Sequence, residues 1–200
     1  TPLFDDGTNG DLLGGDGVFM ADVTIPTAGR YEWKVTNGTW DVSYPADNSW
    51  LITIADNQVV KLSFDTNDHS ADAGLELLPS TNIVHAWDDA NTFTAVGSFQ
   101  GWDNANPDTG LGYTGHGSYL LNHQMLTPGS YEGKIVVTGS WDGFGLDGRS
   151  INAANIPFTT YAEDDMVYFY LDYRVGRVGI FGPPAPTTAS HDNEVWWGQL

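Results

Sequence analysis

Apolar residues occupy every second position along much of the chain. They do so from Phe19 to Ile25 and again from Tyr31 to Val35. A period of two is that of a β-strand with one face turned to a core. Pro26 and Gly29 lie between the two runs and are typical of a turn, so the pattern predicts a hairpin with one wet face.

Two further runs show the same alternation. Val60, Leu62 and Phe64 predict a strand with an apolar face, and Val167, Phe169 and Leu171 predict its counterpart with all three side chains inward. No segment shows a sustained helical stripe. The pattern therefore predicts an all-β protein.

The chain contains an internal repeat. Segments 15–35 and 115–135 match at a constant offset of 100. The identities are Gly15/Gly115, Gly17/Gly117, Gly29/Gly129, Tyr31/Tyr131, Glu32/Glu132 and Lys34/Lys134. Further on, Trp40-Asp41 matches Trp141-Asp142, and Ala55 matches Ala162. Repetition of one short-stranded unit predicts two tandem immunoglobulin-like antiparallel β-sandwich domains, at residues 1–80 and 81–181.

The first copy is predicted to lack its opening strand. The second copy begins with a strand at 92–99, and the same offset places its equivalent before Thr1. An unpaired strand edge is a liability in solution, so upstream residues of a longer chain or another segment should fill the vacancy. Beyond a proline-rich linker at 182–190, the tail 191–200 has strand propensity. Its candidates for donation to a neighbouring chain are Glu194, Val195, Trp196 and Trp197.

Charge and composition narrow the classes of function. The chain has 26 acidic and 7 basic residues, a formal net charge of -19, and no cysteine. This charge repels nucleic acid and anionic membranes and favours neutral partners, although acidity also serves solubility alone. No apolar run reaches membrane-spanning length.

No catalytic or cofactor motif emerges from the sequence. A cysteine nucleophile, a serine in a strained elbow and a phosphate-binding glycine loop are all missing, so we expect no enzyme activity and no cofactor. The acidic loops 5–11 and 103–110 do not complete the spacing of a helix-flanked calcium loop and are ordinary turn formers. We therefore predict no metal site.

Alternation on the strand around Tyr131 suggests a surface site. It turns Tyr131 and Ile135 inward, so Lys134 should face solvent on the side from which the loop bearing Trp141 emerges. Trp102 leaves the neighbouring strand nearby. Aromatic rings stack on the apolar faces of sugars and an ammonium donates to hydroxyls, so this trio suits a neutral glycan.

Other aromatic residues have structural interpretations. Trp33, Trp50 and Trp87 lie in or beside strands and are predicted to pack in the core or between domains. His123 is equivalent to Val23, and we expect a buried, hydrogen-bonded histidine there.

The motifs "VGSFQGWD", "PGSYEGKI" and "GSWDG", in this order, resemble the starch-binding modules of amylases and glucoamylases. They resemble even more the repeated accessory domains of secreted pullulanases. The resemblance implies an α-glucan site at Trp102, Lys134 and Trp141, a secreted or cell-surface location and a fused catalytic domain. The first copy has Lys34 and Trp40 at the matching positions but no counterpart of Trp102.

Two alternatives stay open at this point. Trp141 and Trp40 could plug the open ends of the sandwiches, with Lys134 paired to Glu132 or an aspartate and Trp102 capping a bulge. The second functional hypothesis is a structural subunit of an extracellular fibre or surface layer, assembled head to tail by donation of the tail strand.

Overall fold

The computed structural model describes residues 1–67, 80–84, 91–125, 127–174 and 176–183. Apart from one short 3-10 helix, Pro107–Thr109, its regular elements are all strands, which confirms the all-β prediction. The strands of the first repeat are β1 (Val18–Ile25), β2 (Gly29–Thr36), β3 (Ser43–Thr53), β4 (Gln58–Asp65) and β5 (Ser80–Val84). Those of the second are β6 (Phe93–Gly97), β7 (Gly112–Gly115), β8 (Ser118–Gln124), β9 (Gly129–Val137), β10 (Asp142–Gly145), β11 (Gly148–Ile151), β12 (Ile156–Thr160), β13 (Met166–Asp172) and β14 (Arg177–Phe181). In this part of the chain no helix is long and apolar enough to cross a membrane.

The second repeat is a sandwich of two sheets. One sheet has the order β14-β13-β8-β7, and it faces the strands β6, β9 and β12. Val167, Phe169 and Leu171 of β13 are fully buried between the sheets, as their alternation predicted. They share this core with Phe93, Ile135 and Phe158 from the facing sheet.

The first repeat has the same plan on a smaller scale. β1, β4 and β5 form one sheet, in which β5 pairs with β4 as β14 pairs with β13. β2 and β3 form the other, and Leu51, Val60, Leu62 and Ile83 are buried between them. The predicted boundary after residue 80 falls within β5.

The predicted hairpin of the first two strands is wrong. β1 pairs with β4 and β2 with β3, so the turn between β1 and β2 crosses from one sheet to the other. The Tyr31 hydroxyl donates to the carbonyl of Thr27 at 2.6 Å, and Tyr131 repeats this contact with Thr127 at 2.8 Å. This tyrosine corner fixes a crossing rather than a reversal. Alternation identified the strands, but it carries no information on their partners.

A hairpin of the second repeat joins the two repeats. The offset between equivalent residues rises from 101 at Trp40/Trp141 to 107 at Ala55/Ala162, so the second repeat has six extra residues there. The six extra residues fall in the segment that forms β10, β11 and the turn between them. β11 pairs in parallel with β5 at Gly148 and Thr81. One sheet therefore runs β1-β4-β5-β11-β10-β9-β12 through both repeats.

Gly148 is required by the close approach at this joint. Its φ is +79°, and a Cβ atom on it would lie 2.5 Å from the Cβ of Ser80. A side chain here would meet both backbone strain and a steric clash.

The same hairpin buries an arginine against a tryptophan of the first repeat. Trp50 and Arg149 both have no exposed surface, and the Arg149 Cζ atom lies 3.7 Å from the centre of the Trp50 ring. Arg149 Nε donates to the Trp50 carbonyl and its Nη2 to the Tyr173 hydroxyl, both at 2.9 Å. Trp50 therefore packs between the repeats, as predicted.

The other two tryptophans differ. Trp33 is half-buried against the core of the first repeat, whereas Trp87 lies outside the described residues.

His123 lies on the inward face of β8, opposite Val167, but it is only half-buried. Its ring centre is 5.2 Å from that of Phe99, and burial lowers the pKa of its imidazole. Its side chain makes no hydrogen bond within the described part of the chain, so that part of the prediction is wrong. The ring instead makes a tilted contact with Phe99, at an interplanar angle of 54°.

The edge of β2 differs from the equivalent edge of β9. Within the described residues β2 pairs only with β3, whereas β9 also pairs with β6. Near the start of the chain, Phe4 forms a bridge with Met20 of β1, in the other sheet. The linker from residue 184 and the tail with Glu194, Val195, Trp196 and Trp197 lie outside the described residues.

Candidate functional site

Lys134 and Trp141 lie together on the outer face of β9. The Lys134 Nζ atom is 5.6 Å from the centre of the Trp141 ring, within the range of a cation–π contact. Nζ also donates to the carbonyl of Ala153 at 2.8 Å. The side chain was predicted to face solvent, but Lys134 is only 7% exposed, so that prediction is wrong.

A structured loop explains the burial of Lys134. Asp147, in the turn between β10 and β11, accepts from the Ala154 N–H at 2.7 Å and from the Ser150 hydroxyl at 2.8 Å, and Ala154 lies in the loop between β11 and β12. The Leu146 N–H donates to the Ala154 carbonyl at 3.0 Å. These contacts bring the Ala153 carbonyl to the lysine. Alternation correctly placed Lys134 away from the core, but it does not report a loop that folds back over the outer face.

The charge of Lys134 is held at a cost. Burial lowers the pKa of its ammonium from the ordinary 10.5, while the carboxylates of Asp147, Asp47 and Glu132 act in the opposite sense. Within the described residues none of them forms an ion pair with Lys134, so the predicted alternative of such a pair is not observed. Asp47 belongs to the first repeat, which therefore contributes to the electrostatics of this site.

Trp141 is anchored by its backbone and open at its ring. Its carbonyl accepts a hydrogen bond from the Asn152 N–H at 3.2 Å, and the residue is 40% exposed. A ring held on one side by a cation and the chain, and open on the other, can stack against a flat apolar surface.

Trp102 lies on a loop that is tied to the Trp141 loop. It has a left-handed φ of 63°, and its N–H donates to the Gly97 carbonyl at 3.1 Å. Asn104 joins the two loops: its carbonyl accepts from Gly139 at 2.8 Å, and its side-chain amide donates to the Ser140 carbonyl at 3.1 Å. In the described part of the chain Trp102 makes no ring contact with Trp141 and no cation–π contact with Lys134.

The first repeat reproduces half of this arrangement. Lys34 Nζ donates to the Ala46 carbonyl at 2.8 Å, and Ala46 is the equivalent of Ala153. Trp40 is 80% exposed, and within the described residues no cation–π contact joins it to Lys34. The lysine contact is thus repeated, whereas the aromatic contact is found in the second repeat alone.

One residue of the first repeat reaches the Trp141 loop and was missed from the sequence. Arg30 on β2 binds the carboxylate of Asp142 through Nε and Nη2, each at 2.6 Å. Asp142 follows Trp141 directly. The equivalent residue in the second repeat is Ser130, and this difference between two similar motifs was the available signal.

The acidic loops use their carboxylates on their own backbone. Asp5 accepts from the Gly15 and Gly17 N–H groups, and Asp11 from that of Gly7. Asp103 accepts from the Ala105 N–H. Within the described residues no group of three histidine, aspartate or glutamate side chains could hold a metal ion.

Fold and site together define a tandem of small β-sandwiches with an aromatic and lysine site on the second. The chain belongs to the pullulanase X25 domain family, whose model matches residues 8–71 and 90–178. This confirms the resemblance to the repeated domains of pullulanases.

Two known proteins are similar to the chain. The chain is 23% identical over 201 residues to an amylopullulanase of Thermoanaerobacterium thermosulfurigenes, covering 93% of this chain and 10% of the relative. It also matches the solved pullulanase from Bacillus acidopullulyticus with a TM-score of 0.40 and 17% identity, covering 90% of this chain and 17% of that one. The chain therefore spans only a small part of either protein.

Proposed function

We propose that the chain is a non-catalytic α-glucan-binding module, and that its principal site comprises Trp141, Lys134 and Trp102 of the second repeat. The observation that carries this proposal is the Trp141 ring, 40% exposed and held 5.6 Å from the ammonium of Lys134.

The chemistry of this pair fits a sugar. The C–H face of a glucose ring packs on an indole, while the hydroxyls at its rim need hydrogen-bond partners. Lys134 has three N–H donors and uses one on the Ala153 carbonyl. The other two are available to ligand hydroxyls beside Trp141.

The ligand is neutral in this proposal. A net charge of -19 disfavours anionic polymers, whereas an uncharged glucan meets no such barrier. In this proposal the site binds the glucan and does not cleave it.

The partner that cleaves lies elsewhere in this proposal. The chain covers 10% of the amylopullulanase, so we propose a secreted or cell-surface enzyme in which this module is fused to a catalytic domain. Binding to the polymer then raises the effective concentration of substrate at the catalytic domain, to about millimolar for a short flexible connection.

Calorimetric titration of the 200-residue chain with maltoheptaose tests the proposal. We expect binding at millimolar ligand, and Trp141→Ala should weaken it by about 1 to 3 kcal/mol, the range for loss of one stacking ring. Trp40→Ala is the matched control, because Trp40 is the equivalent residue but has no lysine contact; its effect should be smaller. A folded chain that gives no heat, or equal losses in the two variants, contradicts the proposed site.

The fibre hypothesis remains a prediction. It is favoured by one observation, that within the described residues the outer edge of β2 has no strand partner. Donation of Glu194 to Trp197 by a neighbouring chain would fill that edge.

A further inference from the structure

The Trp141 loop is held by a residue of the other repeat. Arg30 of β2 presents its guanidinium fork to the Asp142 carboxylate, with Nε to Oδ2 and Nη2 to Oδ1 both at 2.6 Å. Bidentate pairs of this kind fix geometry as well as charge. The Asp142 side chain is 10% exposed and that of Arg30 is 40% exposed, so the carboxylate is the shielded partner of the contact.

The first repeat in turn fixes Arg30. Its Nη1 donates to Glu32 at 2.9 Å, and the amide of Asn48 donates to the other carboxylate oxygen of Glu32 at 2.8 Å. Arg30 and Glu32 share the face of β2 that also carries Trp50 through β3, and Trp50 is packed into the second repeat. The guanidinium group of Arg30 is therefore held by contacts within the first repeat, on a face that is packed against the second repeat.

Asp142 transmits this constraint to Trp141. The two residues are consecutive; the Asp142 N–H donates to the Ser140 hydroxyl at 2.9 Å, and the Trp141 carbonyl accepts from Asn152. Without Arg30, a largely buried carboxylate would lack its cation, and relief of that cost would draw the Asp142 carboxylate towards water. The indole would then leave its place beside Lys134.

We propose that Arg30 is a positioning residue for Trp141, so that the first repeat completes the glucan site of the second within one chain. This inference rests on the proposed function. It also accounts for an asymmetry between the copies: Ser130 replaces Arg30 in the second repeat, and Asp41, the equivalent of Asp142, is exposed. The contact belongs to the pair of repeats and not to either copy.

The test compares two arginine variants. Arg30→Gln removes the fork, and Arg174→Gln removes the Arg174–Asp172 pair, whose side chains are 38% and 14% exposed against 40% and 10% for Arg30 and Asp142. We expect Arg30→Gln to raise the Kd for maltoheptaose about tenfold and Arg174→Gln to leave it unchanged. Arg30→Lys keeps the charge without the fork and should fall between wild type and Arg30→Gln.

A second measurement reads the position of Trp141 directly. Its indole N–H resonance, assigned by its loss in Trp141→Phe, should shift in Arg30→Gln and stay in place in Arg174→Gln. Asp142→Asn serves the same purpose if Arg30→Gln does not fold. The double variant Arg30→Gln/Asp142→Asn should bind maltoheptaose no more weakly than either single variant, because both substitutions break the same contact.

The outcomes separate the two proposals. Wild-type affinity in Arg30→Gln, or an unmoved Trp141 resonance, overturns the role of Arg30 and leaves the proposed function standing. Absence of binding by the wild type contradicts the proposed function, and the resonance shift then decides alone whether Arg30 positions Trp141.

Discussion

Lys134 combines the binding role proposed for it with a cost to stability. Lys134 is 7% exposed as a residue, and within the described part of the chain its ammonium has one backbone carbonyl as a hydrogen-bond partner, so the charge is poorly solvated. The cation–π contact with Trp141 offsets part of that loss. The two remaining N–H groups of the ammonium would help to bind a ligand, but they destabilise the site when it is empty. Such a conflict between function and stability is common.

The lowered pKa of Lys134 predicts a pH dependence of stability. Between that pKa and the ordinary value of 10.5, the unfolded chain holds a proton that the folded chain has released, so the free energy of unfolding rises with pH. Lys134→Met lacks this contribution. In urea titrations from pH 8 to 10.5, the wild type should therefore gain stability relative to Lys134→Met as the pH rises.

Lys34→Met controls for the loss of one lysine from the equivalent position of the first repeat. If the free energy of unfolding of the wild type relative to Lys134→Met stayed constant or fell over this pH range, burial would not depress the pKa of Lys134.

At the scale of elements, the two faces of β3 serve different repeats. Trp50 packs into the core of the second repeat, while its neighbour Leu51 packs into that of the first. Trp50→Ala should therefore cost about 3 to 5 kcal/mol, the usual range for removal of a buried large aromatic side chain. The loss of stability should extend to the second repeat, because Trp50 packs in its core.

Hydrogen exchange of the β13 amides measures this effect, because β13 lies in the second repeat. Trp50→Ala should speed exchange at Phe169 and Leu171, whereas Leu51→Ala should act mainly on β4. Unchanged exchange at Phe169 and Leu171 in Trp50→Ala would mean that the joint does not stabilise the second repeat.

Strands could be predicted from the sequence where packing is local, and their partners could not. The inward faces of Val60 and Val167 follow from alternation alone, and the repeat gives their equivalence. The partner of β1 is β4 and not β2, because a tyrosine corner turns the chain across the sandwich. The burial of Lys134 and the reach of Arg30 depend on contacts between distant segments, on which a single sequence carries little information.

At the scale of the whole molecule, charge opposes self-association and the edge of β2 favours it. A net charge of -19 repels copies of the chain at low salt, whereas the outer edge of β2, which has no strand partner among the described residues, offers backbone donors and acceptors. We expect light scattering to show a monomer whose mass does not change with concentration at 0.15 M salt.

Deletion of residues 191–200 should leave the chain monomeric. Concentration-dependent oligomers that disappear with the deletion, or with Val195→Lys, would instead support strand donation and the fibre hypothesis.

The parallel junction at Gly148 and Thr81 bears on how such modules can be moved between enzymes. If only the second repeat were grafted onto a new host, Phe144 and Arg149 would lose their contacts with Trp50. An apolar and cationic surface would then be exposed on the graft. Exchanging the order of the two repeats would have the same effect, because among the described residues only the second repeat has the β10–β11 hairpin that pairs with β5. The unit that can be transferred is therefore the ordered pair of repeats. In a library that recombines single repeats, variants would fail because they lack the packing at this junction, and not because of their contacts with the sugar.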